Sequence, residues 1–337
     1  MRIGELGEFG LIARIARTLS PPGPDVVVGI GDDVAVLGAS GARYLLATCD
    51  SQVEGVHFTG ASTTPYRLGR KAIAINVSDI AAAGGDPLWV LVSLLLPPDT
   101  EVEFIDELYR GMDEQAGLAG ASIVGGNLSR TGGPITVDIS LLGQVTPERL
   151  VLRRGARAGD AVLVTGFPGE SRAGLELLRR PGINVGEPAR EAAISRHLDP
   201  RPRLAEGRLL ARSGLVRAMV DVSDGLVADL GHICSASGTG ALIEAGKVPV
   251  SGALAEVGRA AGGDALGWAL AGGEDYELLF AAAPEAVPAI RKMLLDETGT
   301  PCHEIGRFTA GPAEVRVGFP DGSRAASPGG RGWDHFR

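Results

Sequence analysis

Short apolar runs that end on a carboxylate or an amide in a small-residue turn recur along this chain, and they constrain its fold more than any other feature. VVVGIGDD delivers Asp32 and Asp33, LLATCD delivers Asp50, AIAINVSD delivers Asp79 and SIVGGN delivers Asn127. In the second half AMVDVSDG delivers Asp221 and Asp224, and ALAGGEDYE delivers Glu274 and Asp275. Acids just beyond buried strands converge at one edge of a sheet, where ligands bind in α/β proteins. Any one of them is equally an Asx turn or a helix cap; the recurrence carries the weight. Carboxylates gathered closely repel one another and hold their protons. A hard cation relieves that repulsion, commonly Mg²⁺ on a few carboxylates plus substrate phosphates.

At 337 residues the chain is too long for one ordinary core and suits two. Strands are expected at 25–30, 44–48, 88–96, 123–124 and 135–145, with 88–96 buried. Helices are expected at 66–83, opened by Thr64-Pro65 and stopped by Gly84-Gly85, and at 101–118. A charged, turn-rich stretch then places a domain boundary near residue 148, giving domains 1–148 and 149–337. Beyond it, strands are expected at 161–165, 218–222, 277–282, 303–308 and 315–319, and helices near 171–180, 226–237 and 284–295. Strands and helices mix in both halves, so the fold class is α/β or α+β with two domains. Glycine, 50 of 337 or about 15%, reads as turns and close backbone approaches rather than disorder.

A formal charge of −9 argues against nucleic acid or an anionic membrane as the main partner. It leaves phosphate substrates open if metal ions supply the positive charge. Of the three lysines, Lys71, Lys247 and Lys292, none stands in a GxxxxGK[ST] loop. Gly29-Ile30-Gly31 begins a dinucleotide fingerprint, but Val34 occupies the sixth position and two aspartates would repel a pyrophosphate. The loop from Asp221 fails as a calcium site because His232 stands at the twelfth position. Cys49, Cys234 and Cys302 are widely spaced and the start is acidic, so a reduced, cytoplasmic protein with no membrane span is expected. Among the histidines, His57 is the best candidate for touching substrate. His232 reads as a packing residue, and His197 and His303 as surface residues.

These segments together resemble the thiamine-monophosphate kinase family. The matching text runs nearly end to end: GEFGLIARIA, GIGDDVAVL, TCDSQVEGVHF, GRKAIAINVSDIAAAGGDP, VGGN, RAGDAVLVTG, DVSDGLVADLGHI, GGEDYELLF and the final WDHF. The resemblance implies ATP-dependent phosphorylation of thiamine monophosphate to thiamine diphosphate. It also implies the fold shared with aminoimidazole-ribonucleotide synthetase, with N-terminal sheets pairing into a barrel across a homodimer. Carried over by residue, it makes Asp33, Asp50, Asp79 and Asp221 the catalytic ligands of several Mg²⁺ ions, with Thr48, Cys49 and Asn127 beside the metals and Asp224 holding a further one. Tyr109, Gly126, Arg153 and Ser223 would contact ATP; His57, Glu274 and Trp333 would contact the thiamine substrate. Cys49 stands where a hydroxyl residue is frequent, and Asn127 where many members have aspartate. The alternatives are another ATP-dependent member of that superfamily, such as aminoimidazole-ribonucleotide synthetase, or a non-enzymatic nucleotide or thiamine sensor, which the missing charge at Asn127 would favour.

Overall fold

The computed structural model describes residues 2–38, 41–319, 321, 323–326, 335 and 336. The first half builds a six-stranded sheet from β1 (Val26–Val28), β2 (Ala35–Gly38), β3 (Tyr44–Val53), β4 (Asp86–Leu96), β5 (Ser122–Arg130) and β6 (Thr136–Val145), in the order β1-β2-β3-β6-β4-β5. Only β4 and β5 run parallel, as their helical crossover requires. The second half builds a seven-stranded mixed sheet from β7 (Ala161–Thr165), β8 (Val216–Asp221), β9 (Gly240–Glu244), β10 (Leu278–Ala282), β11 (Cys302–Thr309), β12 (Val315–Gly318) and β13 (Arg324–Ala326), in the order β13-β12-β9-β11-β7-β10-β8.

The helices are α1 (Ile3–Leu6), α2 (Glu8–Thr18), α3 (Pro65–Ala82), α4 (Val102–Ala119), α5 (Glu170–Arg179), α6 (Glu187–Leu198), α7 (Leu204–Ser213), α8 (Leu226–Ser237), α9 (Gly252–Ala261), α10 (Ala265–Ala271) and α11 (Val287–Thr298). Thr64 caps α3 by accepting from Arg67 N–H, with Pro65 at the first helical position. Helices α3 and α4 cover one face of the first sheet and enclose Leu46, Ile73, Val92, Leu108, Met112 and Ile139. Their close approach depends on two glycines. A Cβ on Gly69 would lie 2.1 Å from the Leu108 carbonyl oxygen, and one on Gly111 2.0 Å from that of Tyr66.

The second sheet is buried on both faces. Val162, Val164, Val220 and Leu279 meet α5, α8 and α9 on one side; Leu163, Met219 and Phe280 meet α7 and α11 on the other. That explains why β7 and β10 read as unbroken apolar runs. Strand β4 departs from the buried strand expected at 88–96. Val90, Val92 and Leu94 are buried, but Trp89, Leu91 and Leu95 are exposed, because nothing among the described residues covers the sheet's second face there. Helix α2 was not foreseen; it has a glycine at its N-cap with no side-chain cap bond, and Phe9, Ile12 and Ile15 remain partly exposed.

The halves are joined through α3, which packs against α7 and β8 as well as its own sheet. Gly207 on α7 sits where a Cβ would be 2.2 Å from the Ala81 carbonyl oxygen. Ser78 Oγ donates to Asp221 Oδ2 across the same boundary at 2.6 Å. This contact brings strand-end acids of both halves into one cleft.

Candidate active site

The cleft has a volume of about 810 Å³ and is lined by Asp32, Asp33, Thr48, Cys49, Asp50, His57, Asp79, Arg153, Asp221, Ser223, Asp224 and Glu274, among others. Local backbone explains how each acid gets there. Gly31, at φ +119°, turns the chain after β1 so that Asp32 and Asp33 follow in succession. On β3, Thr48 and Asp50 alternate with Cys49 and Ser51. Thr48 donates its hydroxyl to Asp79 on α3. Cys49 and Ser51 face Asp138 on β6, at 3.3 and 3.0 Å, so the Cys49 thiol points away from Asp79.

Oxygens of Asp33, Asp79 and Asp221 lie within 4.8 Å of one another. Arg153 is the counter-cation: its Nε and Nη2 donate to Asp33 at 2.9 and 2.5 Å, and its backbone N–H donates to Asp32. Asp79 and Asp221 receive hydrogen bonds only from the hydroxyls of Thr48 and Ser78 among the described residues. The electrostatics follow. Burial, then the charge of Asp33, pushes Asp221 up to about 8. Burial and Asp138 push Asp50 up to about 6, and burial with Asp50 and Asp221 holds Asp79 well above the usual carboxylate range. Asp33 is raised by burial even though Arg153 opposes it.

A second group comprises Asp224, Asp229 and His232, again with ligand atoms within 4.8 Å. Asp229 escaped the sequence reading because an acid in the first turn of α8 is ordinary helix-dipole chemistry. Its Oδ2 accepts from the backbone N–H groups of Ser223, Asp224 and Gly225, at 3.1, 3.1 and 3.0 Å. It thereby fixes the turn that presents Asp224, whose own carboxyl burial pushes up to about 6.

On the opposite wall His57 accepts from Val53 N–H at Nδ1, 2.9 Å, leaving Nε2–H as its donor when neutral. Burial lowers its pKa, and its ring lies 5.1 Å from that of His335. The His335 backbone N–H donates to Glu8 of α2 at the cleft mouth. Trp333 lies outside the described residues.

Glu274 also lines the cleft, paired with Lys71 at 2.7 Å. Asp275 does not share that role: it accepts from Gly169 and Ser171 N–H at the start of α5. His197, expected on the surface, is buried in the cleft wall beside Glu274, and burial pushes its pKa down to about 4. His303 is half-buried against Phe167, with its Nε2 enclosed and without a hydrogen-bond partner. Both histidines sit on elements whose apolar partners are distant in sequence, so local context gave no sign of burial.

Three sequence-derived candidates are not brought into the cleft by this chain's fold. Tyr109 packs on α4 against the first core. Gly126 is required where β5 meets β4, since a Cβ would be 1.8 Å from the Val92 carbonyl oxygen. Asn127 is exposed on the edge strand and donates to Ser129 Oγ at 2.9 Å. It terminates a polar row, Ser51–Asp138–Ser93–Asn127, that crosses the sheet's open face. Three strand spacings, about 14 Å, separate its ends.

Paired α/β domains with acids from both meeting in one cleft define a class. Residues 31–145 match the AIR synthase related protein N-terminal domain and residues 157–318 the corresponding C-terminal domain. The chain is 40% identical to the thiamine-monophosphate kinase of Aquifex aeolicus over the full length of both, and 37% identical to that of Escherichia coli K12 over 98% of each. A structure described as AaThiL complexed with AMPPCP and TMP superposes with TM-score 0.85 at 38% identity, covering 99% of each chain. The Aquifex aeolicus thiamine monophosphate kinase crystal structure gives 0.79 at 39% identity, covering 97% of this chain and all of the other. The chain belongs to the thiamine-monophosphate kinase family.

Proposed function

We propose that this chain transfers the terminal phosphoryl group of ATP to the phosphate of thiamine monophosphate, yielding ADP and thiamine diphosphate, the last step in making that cofactor. The observation that carries this reading is the Asp33–Asp79–Asp221 cluster, half-buried at Asp33 and Asp79 and buried at Asp221, drawn from both halves and short of counter-charge. Its donor set is all hard oxygen, which suits Mg²⁺. Asp33, Asp50, Asp79 and Asp221 would hold such ions, Thr48 would support them through Asp79, and Asp224 would hold a further one. When bound, Mg²⁺ neutralises phosphate charge and acts as a template for in-line displacement.

The chain's own residues do the rest. The acceptor oxygen belongs to a phosphate that is already ionised, so no strong general base is needed; positioning and charge neutralisation dominate. Arg153 spends Nε and Nη2 on Asp33, which leaves Nη1 to meet a nucleotide phosphate. Ser223, in the turn braced by Asp229, offers its hydroxyl alongside. His57 Nε2–H and the Glu274 carboxylate face the acceptor. Residues 1–148 supply most of the carboxylates, and 149–337 complete the cleft. A lack of apolar helices long enough to cross a membrane, among the described residues, and three unpaired cysteines support a cytoplasmic location.

The test is incubation with ATP, MgCl₂ and thiamine monophosphate, with thiamine diphosphate detected as its thiochrome. Product that vanishes with EDTA is expected. A folded, ATP-binding protein that makes none would point to another acceptor or to a sensor. The partner is a second copy of this chain: Trp89, Leu91 and Leu95 leave an apolar band on the first sheet that a like sheet would cover, pairing the two into a barrel. In that assembly Tyr109, Gly126 and Asn127 could serve a cleft only with the second copy's help. Light scattering is expected to give twice the chain mass; a monomer at micromolar concentration would refute the pairing.

A further inference from the structure

The carboxylate assigned to the acceptor is aimed by a residue that does not reach the cleft. Glu274 and Tyr276 have φ +64° and +53°, left-handed values unfavourable for side chains with a Cβ. The segment is held there from several sides. Glu274 N–H donates to the Ser223 carbonyl at 2.7 Å and Tyr276 N–H to that of Val222 at 2.8 Å. Asp275 is fixed by the start of α5, and Glu277 by Arg203. These bonds set the backbone and leave the Glu274 side chain to be directed separately.

Lys71 directs it. It stands two turns before Asp79 on α3, is only 4% exposed, and lies behind Glu274 rather than on the cleft lining. Its Nζ is 2.7 Å from Glu274 Oε1, and it makes no other ion pair among the described residues. Glu274 Oε2 is left beside the cleft, 3.4 Å from His197 Nδ1, which in turn is 3.1 Å from Ser171 Oγ. Burial alone would raise the Glu274 carboxyl; Lys71, and then His197, more than offset it, so the group sits below the ordinary glutamate range.

We infer that Lys71 is a positioning residue for acceptor recognition: it fixes the charge and direction of Glu274 so that Oε2 accepts from the exocyclic amino group on the pyrimidine ring of thiamine monophosphate. This rests on the reading of Glu274 as an acceptor contact. A protonated Glu274 would present a donor to a group that is itself a donor, and a rotated one would carry Oε2 away from it, so the pairing matters for KM of the acceptor and not for ATP.

Steady-state kinetics on Glu274→Gln, Lys71→Met, Lys71→Arg and the double variant Lys71→Met/Glu274→Gln test both levels. Glu274→Gln and Lys71→Met are each expected to raise KM for thiamine monophosphate about 10- to 100-fold, the scale of a charge-assisted hydrogen bond. KM for ATP should stay within about twofold, and Lys71→Arg should recover most of the loss. A purely structural role would lower thermal stability and kcat without this acceptor-specific split. If Glu274→Gln leaves the acceptor KM unchanged, the underlying reading fails. If Glu274→Gln raises it and Lys71→Met does not, Glu274 stands and the role of Lys71 is overturned. Should Lys71→Met alone not fold, the double variant decides. Acceptor KM equal to that of Glu274→Gln supports action through Glu274; a further several-fold rise refutes it.

Discussion

Asp79→Asn abolishes turnover, by about 10³-fold or more, while leaving the metal-free protein as stable as the parent or more so. Asp79 accepts from Thr48 and lies within 4.8 Å of ligand atoms on both Asp33 and Asp221. An amide keeps the shape and removes a charge. Losing one carboxylate from a cation site that supplies several kcal/mol of transition-state stabilisation accounts for a rate loss of that size. The stability gain has a different origin: one fewer buried carboxylate among like charges.

The same origin gives a pH signature. Asp221 and Asp50 sit at about 8 and about 6 in the folded protein against 3.8 for the free carboxyl, so the folded state binds more protons than the unfolded one. Their contribution to stability is complete below about pH 4 and is lost progressively as pH rises, up to about 6 for Asp50 and about 8 for Asp221. Urea unfolding in EDTA should therefore show the parent losing stability between pH 5.5 and 8.5, and the variant losing less. Near-normal turnover in Asp79→Asn, or a protein that unfolds more easily at pH 8.5 than the parent, would sink the assignment.

Arg203→Met should cost about 3–5 kcal/mol of folding stability, the usual result of stranding one partner of a buried ion pair. Glu277 is 2% exposed and receives Arg203 Nε and Nη2 at 2.6 and 2.5 Å together with the Thr165 hydroxyl at 2.6 Å. Arg196 is 3.8 Å away and too offset to replace that bidentate contact. Adding Glu277→Gln should return part of the loss, since of the two buried acids that Arg203 faces only Glu206, at 3.5 Å, then keeps an unpaired charge. Denaturant titration of the single and double variants measures both. A penalty under about 1 kcal/mol would mean that water reaches Glu277 once the guanidinium is gone.

Much of this architecture was legible because its signals are local. Thr64-Pro65 and Gly84-Gly85 bracket α3 by capping chemistry, and the apolar runs of β7 and β10 carry their burial on both faces in composition alone. That Asp33, Asp50, Asp79, Asp221 and Asp224 line one cleft was foreshadowed by their positions after apolar runs. What escaped depends on contacts remote in sequence. Lys71 looks like a solvated lysine until Glu274, some two hundred residues on, closes over it. His197 is buried by α5 and the 272–277 segment, neither of which its neighbours announce. Asn127 looked like one more strand-end ligand, yet strand order leaves it at the sheet edge, and strand order is not written in any local pattern.

The glycine joints carry a consequence for how such a gene drifts. At Gly69, Gly111, Gly174 and Gly207 a Cβ would come within 2.0 to 2.2 Å of a carbonyl oxygen on the neighbouring helix. Every glycine codon is GGN, and every missense change one base away encodes a residue that has a Cβ. No single-nucleotide missense step can therefore leave these joints undisturbed, so descendants of this sequence vary around them and helix crossings become fixed points of its lineage, independent of what the cleft is selected to do.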